Sequence, residues 1–170
     1  MAAGATYEPI ATTTLGSSTD SVTFSSITST YTDLILICNI RSGNANQPSL
    51  LFELNGNASG SLYSGTMIAG DGSAVGSNRQ SSQNYGTIMR NIGLSTSSTV
   101  MQPFISHFMN YSNTTTFKTV LSRNNVANAG VGADVTLWRS TSAITSIRVY
   151  ADTNAFASGS TFTLYGIAAA

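Results

Sequence analysis

Thr161-Phe162-Thr163-Leu164-Tyr165-Gly166-Ile167 alternates hydroxyl-bearing and apolar side chains. A period of two is the signature of a half-buried β-strand. Phe162 and Leu164, with Ile167, are expected on one face, against Thr161, Thr163 and Tyr165 on the other. Ile144, Ile147 and Val149 set against Ser146, Arg148 and Tyr150 repeat the pattern, with one slip that reads as a bulge. Further candidate strands are Ile10–Leu15, Ser21–Ser25, Asp33–Ile40, Ser49–Leu54, Ser61–Ile68, Asn84–Arg90, Val100–Asn110, Phe117–Arg123 and Asp134–Arg139, with the two above at Ala143–Tyr150 and Thr161–Ile167.

Turn chemistry divides these runs. Asn55-Gly56 and Asp71-Gly72 are tight-turn dipeptides, because both residue types tolerate positive φ. Arg41–Pro48, Gly70–Gln83 and Asn124–Gly132 read as longer loops. No segment carries a sustained 3.6-residue apolar stripe with caps, so helices should be few and short. Many short strands with Gly-rich turns predict an all-β chain folded as a single antiparallel β-sandwich of jelly-roll type. One domain over residues 1–170 is expected, opening with a short extended arm over about residues 1–15.

Composition narrows the function. The 170 residues hold only 7 Lys+Arg and 7 Asp+Glu, with 41% hydrophobic and 9% aromatic residues. Ordinary soluble domains are about a quarter charged. Hydroxyls and amides must therefore keep this surface wet. The apolar and aromatic content separates the chain from disordered polar sequences. Clustered Lys and Arg are what bind nucleic acid non-specifically. One lysine and six scattered arginines argue against that partner. The start, MAAGATYEPI, has neither a basic n-region nor an apolar h-region, and no run is long enough to span a bilayer. Synthesis in a cytoplasm is expected. The single cysteine, Cys38, lies beside the apolar run from Leu34 to Ile37 and reads as a small core residue.

Little in the sequence points to catalysis. His107 is the only histidine, so a His-based metal cluster or a Ser-His-Asp triad would depend on it alone. Alternation puts it with Ile105 and Met109, opposite Phe104, Ser106 and Phe108, as a hydrogen-bonded or interfacial strand residue. Glycoside hydrolysis needs two carboxylates about one cleft. The candidates are Glu8, Asp20, Asp33, Glu53, Asp71, Asp134 and Asp152. Asp20, Asp71 and Asp152 sit in turn contexts, Asp33 begins a strand, and Glu53 reads as solvent-facing or arginine-paired. No catalytic residue, cofactor or metal ligand is assigned.

Arginine outnumbers lysine six to one, and its planar fork suits interfaces. Arg41, Arg79, Arg90 and Arg139, with Tyr7 and Ile10 of the arm, are the candidate interface residues. Trp138 reads as a core anchor or an interface anchor. Exposed sheet edges are usually guarded by charge, which this chain lacks, so neighbouring copies in a closed oligomer are expected to cover them. Were the chain a receptor-binding module, an aromatic patch would be expected at a loop tip, with Tyr63 and Tyr85 as candidates.

Two stretches, YEPIATTTLGSSTDSVTFSSITSTYTDLILICNIR and LWRSTSAITSIRVYADTNAFASGSTFTLYGI, resemble small structural proteins of tailed bacteriophages, and FMNYSNTTTFKTVLSRNN is similar to the same group. The resemblance covers well over half the chain. It implies a jelly roll or related sandwich, usually trimeric, displayed on the virion surface, and it supplies no site motif. No long shaft of repeats or coiled coil accompanies it. The expectation is a homotrimeric head-decoration (cement) protein held to the major capsid protein or another virion protein. The alternative is a tail-fibre module that attaches to a host surface glycan, and a glycan depolymerase is a remote third.

Overall fold

The computed structural model describes residues 6–43, 48–90, 92–94, 100–126, 129–153 and 155–168. These form twelve strands and no helix: β1 (Tyr7–Thr14), β2 (Ser21–Phe24), β3 (Asp33–Ile40), β4 (Leu50–Leu54), β5 (Tyr63–Gly70) and β6 (Val75–Gln83) in the first half. The second half holds β7 (Gly86–Met89), β8 (Gln102–Met109), β9 (Lys118–Val126), β10 (Gly130–Trp138), β11 (Ile147–Ala151) and β12 (Thr161–Ile167). All pairings are antiparallel. One sheet has eight strands in the order β1-β12-β3-β8-β9-β10-β5-β6, and the other has four, β2-β11-β4-β7. No helix of the described residues is long and apolar enough to cross a membrane.

The period-two pattern sets the register. In β3, Leu34, Leu36, Cys38 and Ile40 point inward, and in β12 Phe162 and Leu164 do so against them. Ile167 departs from expectation. It shares the outer face with Thr161, Thr163 and Tyr165, and Gly166 takes the inward place beneath the Tyr31 ring. Two apolar residues separated by an odd number of positions cannot lie on one face of a regular strand.

Both sheets contribute to one core. Phe52 of β4 meets Phe108 of β8 edge to face at 5.5 Å and Tyr63 of β5 at 6.2 Å, and Tyr63 stacks on Trp138. Trp138 is therefore a core anchor. The Tyr63 hydroxyl accepts a 2.9 Å bond from the Leu54 amide, which ties β5 to the end of β4 in the other sheet. Burial holds the Tyr63 phenol up at about 12. Cys38 is likewise buried, and loss of solvent raises its thiol far above the ordinary range.

Asn55 and Gly56 both take positive φ, 56° and 64°, and the Asn57 amide bonds back to the Leu54 carbonyl at 3.0 Å. The turn forms as its residues dictate, yet it joins no hairpin: β4 pairs with β11 and β7, and the chain crosses to β5 in the larger sheet. The Asn55 side chain clamps the segment before β11. It donates to the Ala143 carbonyl at 2.7 Å and accepts from the Thr145 and Ser146 amides at 2.8 and 3.1 Å. The expected bulge after Ile144 is thus an irregular segment held by Asn55, and β11 begins only at Ile147.

Two expected loops are largely strand. Only residues 71–74 turn between β5 and β6, and the rest of Gly70–Gln83 pairs with β5. The Asp71 carboxylate accepts amide bonds from Ser73 and Ala74 and the Ser73 hydroxyl, which hold it down at about 2. β6 escaped notice because it has no buried face to impose alternation, being exposed along nearly its whole length. Asn124–Gly132 is the end of β9 and start of β10, with residues 127 and 128 outside the described residues, as are 44–47 of Arg41–Pro48. Residues 7–14 of the expected arm are β1, paired with β12 at the edge of the larger sheet.

Gly86 of β7 sits directly opposite Phe52 of β4 within the smaller sheet, and the Phe52 ring lies across it, which demands a glycine there. A Cβ there would stand 2.1 Å from Cζ of Phe52. Gly86→Ala should cost about 1–3 kcal/mol by overpacking. Gly76→Ala, where a Cβ would meet nothing within 4 Å, should change stability by less than about 0.5 kcal/mol. Urea unfolding of the two variants checks both.

Candidate interaction face

Among the described residues, none forms a second layer over the outer face of the eight-stranded sheet. Strand register lines its side chains in rows across the strands. One row runs Tyr165, Ile35, His107, Leu121, Val135, Thr66, Arg79, and the next Thr163, Ile37, Ile105, Arg123, Ala133, Ile68, Ser77. A solvated sheet face is ordinarily polar. Here Ile37, Ile68, Leu121, Val131, Val135 and Val75 are all exposed, Val75 to 85%. Tyr7 meets Tyr165 edge to face at 6.5 Å at the β1 end. Exposed apolar side chains in such number are unusual on a solvated sheet face.

His107 stands on this face with Ile105 and Met109, as alternation required. Its Nε2 lies 2.8 Å from Oδ2 of Asp33, whose Oδ1 accepts the Asn110 amide at 2.6 Å. Asp33 thereby ties the start of β3 to the end of β8. Glu53 pairs with Arg148 at 3.2 Å, and the Arg148 guanidinium stacks 4.7 Å from the Tyr150 ring. No group of three His, Cys, Asp or Glu side chains suited to a metal occurs among the described residues. Asp20 and Asp152 do line one depression with Ala151 and Thr153. Its volume, about 260 Å³, falls below that of usual ligand sites, and Oδ1 of Asp152 is taken by the Ser49 amide at 3.0 Å.

The six candidate interface residues separate into groups. Tyr7 and Ile10 belong to β1, Tyr7 exposed and Ile10 packed against the core. Arg79, Arg90 and Arg139 gather at the opposite end of the sheet. Arg139 donates to the Ser64 hydroxyl at 2.9 Å. Arg90 bonds the Tyr85 hydroxyl, stacks over its ring at 5.5 Å and binds the side-chain oxygen of Gln80 at 2.8 Å. Arg41 follows β3, its carbonyl accepting from the Ala157 amide. The expected aromatic patch is not assembled: Tyr63 is buried and the Tyr85 ring is covered by Arg90.

A groove of about 450 Å³ lies between Arg79 and Arg139, lined also by Ser64, Thr66, Ser81 and Thr119 over Val135 and Leu137. Its origin is a β-bulge. Gly65 faces Gln80 and Tyr63 faces Gln83, so Ser64 opposes both Ser81 and Ser82, with Ser82 at φ 55°. The extra residue bends the strand and opens the surface. Sequence reasoning selected both arginines but gave no sign that they share a groove, since their proximity depends on the unpredicted β6.

Sequence reasoning also passed over a polar seam inside the core. Beneath β7, the inward positions of β8, β9 and β10 include Ser106, Ser122, Asn124, Asp134 and Thr136. Asn124 donates to Oδ2 of Asp134 at 2.8 Å and to the Ile88 carbonyl at 3.1 Å, and the Thr87 amide donates to the Thr136 hydroxyl. Lys118, fully buried, spends its ammonium on the Thr116 and Thr141 carbonyls, and desolvation lowers its pKa. The alternation Asp134, Thr136, Trp138 was the available signal.

Desolvation raises the Asp134 carboxyl from 3.8 to about 6, although Asn124 and Thr87 hydrogen bonds oppose it. The folded chain therefore holds this proton more tightly than the unfolded chain. Stability from this group is fullest below pH 3.8 and falls as pH rises through 6, by about 2–3 kcal/mol in all. Asp134→Asn should flatten that slope and stabilise the chain at pH 7–8, as read by thermal unfolding from pH 4 to 8. Compared with known proteins, the chain matches no family model and no curated protein.

Proposed function

We propose that this protein is a non-enzymatic structural component of a phage virion, a jelly-roll β-sandwich that assembles as a trimer on the particle surface. The strand order supports the jelly roll. With the hairpins β5–β6 and β9–β10 set aside, eight strands remain, and β1 pairs β12, β2 pairs β11, β3 pairs β8 and β4 pairs β7. First with last, second with seventh, third with sixth and fourth with fifth is the pairing of a long antiparallel ribbon wrapped into two Greek keys. The two extra hairpins then widen one sheet to eight strands.

The observation that carries the assembly is the uncovered outer face, with apolar rows interrupted by Arg79, Arg123 and the His107–Asp33 pair. Ile37 and Ile105 at its centre and Tyr7 at the β1 edge are the surfaces a neighbouring copy or a capsid protein would bury. The edges fit the same picture. β2 and β7 are four residues each, and β1 carries Pro9 and an irregularity between Pro9 and Ala11. Both are devices that limit unwanted pairing. A tail-fibre role is the second reading, favoured by the arginine-flanked groove at the far end of the same face.

Copy number in purified virions separates the two. A ratio to the major capsid protein near one places the chain on the head as cement, and a few to a few dozen copies place it on the tail. Absence from the particle overturns both. In solution the chain should sediment as a trimer, and Ile37→Asp should yield monomers with an unchanged circular dichroism spectrum, because it charges an exposed interface position.

A further inference from the structure

We propose that the groove between Arg79 and Arg139 is a binding subsite for a carboxylate-bearing sugar, such as a uronic acid residue of a bacterial surface polysaccharide. Three features of the groove bear on this, and each is independent of the assembly proposed above.

The first is charge. Two of the six arginines in the chain line one groove of about 450 Å³, a volume within the range of ligand sites. No carboxylate is among its lining residues. Arg139 is fixed by Ser64 and by the Ser61 carbonyl at 3.5 Å, while the exposed Arg79 guanidinium has no partner among the described residues. A guanidinium held in place beside a free one is suited to a planar anion, which it binds through paired N–H donors.

The second is the lining. Ser64, Thr66, Ser81 and Thr119 supply hydroxyls that both donate and accept, as sugar hydroxyls require. Val135 and Leu137 give an apolar floor for the C–H face of a sugar ring. An acidic side chain from a protein would engage the guanidiniums and leave this row of hydroxyls unused.

The third is that the groove is built. The bulge of Ser81 and Ser82 against Ser64 contributes Ser64 and Ser81 to its wall, and such bulges commonly re-aim side chains at functional sites. The groove runs from β9 to β6, two to five strands from Ile37 on β3 and four to seven from Tyr7 on β1, with both arginines on the side away from them.

The test uses the full-length protein with polygalacturonate, a polyuronate, and dextran as a neutral control, by affinity electrophoresis and calorimetry. Binding to polygalacturonate and not to dextran is expected. Arg79→Ala and Arg139→Ala should each weaken it about tenfold, and Arg79→Lys should fall between, keeping charge without the fork. Arg123→Ala, on the same face outside the groove, should bind as the parent does. Equal loss in Arg123→Ala would mean diffuse attraction and overturn the subsite. So would no retardation by polygalacturonate, or binding of polyglutamate as tight as that of polygalacturonate, which would make the groove an acidic-peptide site. Circular dichroism checks the fold of each variant. A trimer that binds no polyuronate refutes the subsite alone, whereas a monomer that binds it refutes only the trimer.

Discussion

Much of the structure depends on how closely β4 and β7 of the smaller sheet approach β5 and β8 of the larger. The Phe52 ring fills that gap. It lies over Gly86 with no room for a side chain, and it meets Phe108 and Tyr63 from the facing sheet. Aromatic contacts of this kind combine large buried area with an angular preference. They fix both the spacing and the relative orientation of the two layers. Tyr63 then joins the layers by a hydrogen bond to Leu54, so a buried hydroxyl is satisfied where packing is tightest.

Away from Phe52 the filling changes character. Under β7 the larger sheet offers hydroxyls, an amide and a carboxyl in place of aliphatic side chains. Burial raises the Asp134 carboxyl to about 6, so it is accommodated as the neutral acid below that pH and carries a destabilising charge above it. Buried polar groups of this sort constrain geometry at some cost in stability. Here they hold the inserted β9–β10 hairpin beneath the edge of the smaller sheet. The β5–β6 hairpin extends past that cover, and the groove is on its outer side.

Legibility in the sequence followed burial. The bounds of β3 and β12, and every face assignment but that of Ile167, could be read because each packs one face against a dense core, so their inward positions recur every second residue. Glu53, His107 and Cys38 were placed by the same rule. β6 was illegible because neither of its faces is buried and only hydrogen bonding to β5 makes it a strand. The groove followed β6 into obscurity. Arg79 and Arg139 are sixty positions apart, and a bulge in an unpredicted strand brings them to one surface. Residues 143–146 were misread for a third reason. Asn55, almost ninety residues away, supplies the bonds that a sheet partner would otherwise provide.

The pairing of β1 with β12 joins residues 7–14 to residues 161–167. β2 likewise waits for β11, and β3 for β8 and β12. On a ribosome the opening three strands emerge long before their partners exist. Only β5–β6 and β8–β9–β10 can pair locally as they are made. Sheets dominated by distant contacts fold slowly and leave edges bare meanwhile. For this chain the last strand is the closing step, and premature termination before Thr161 leaves β1 with no partner and one edge of β3 open, a species prone to clump rather than a smaller version of the protein.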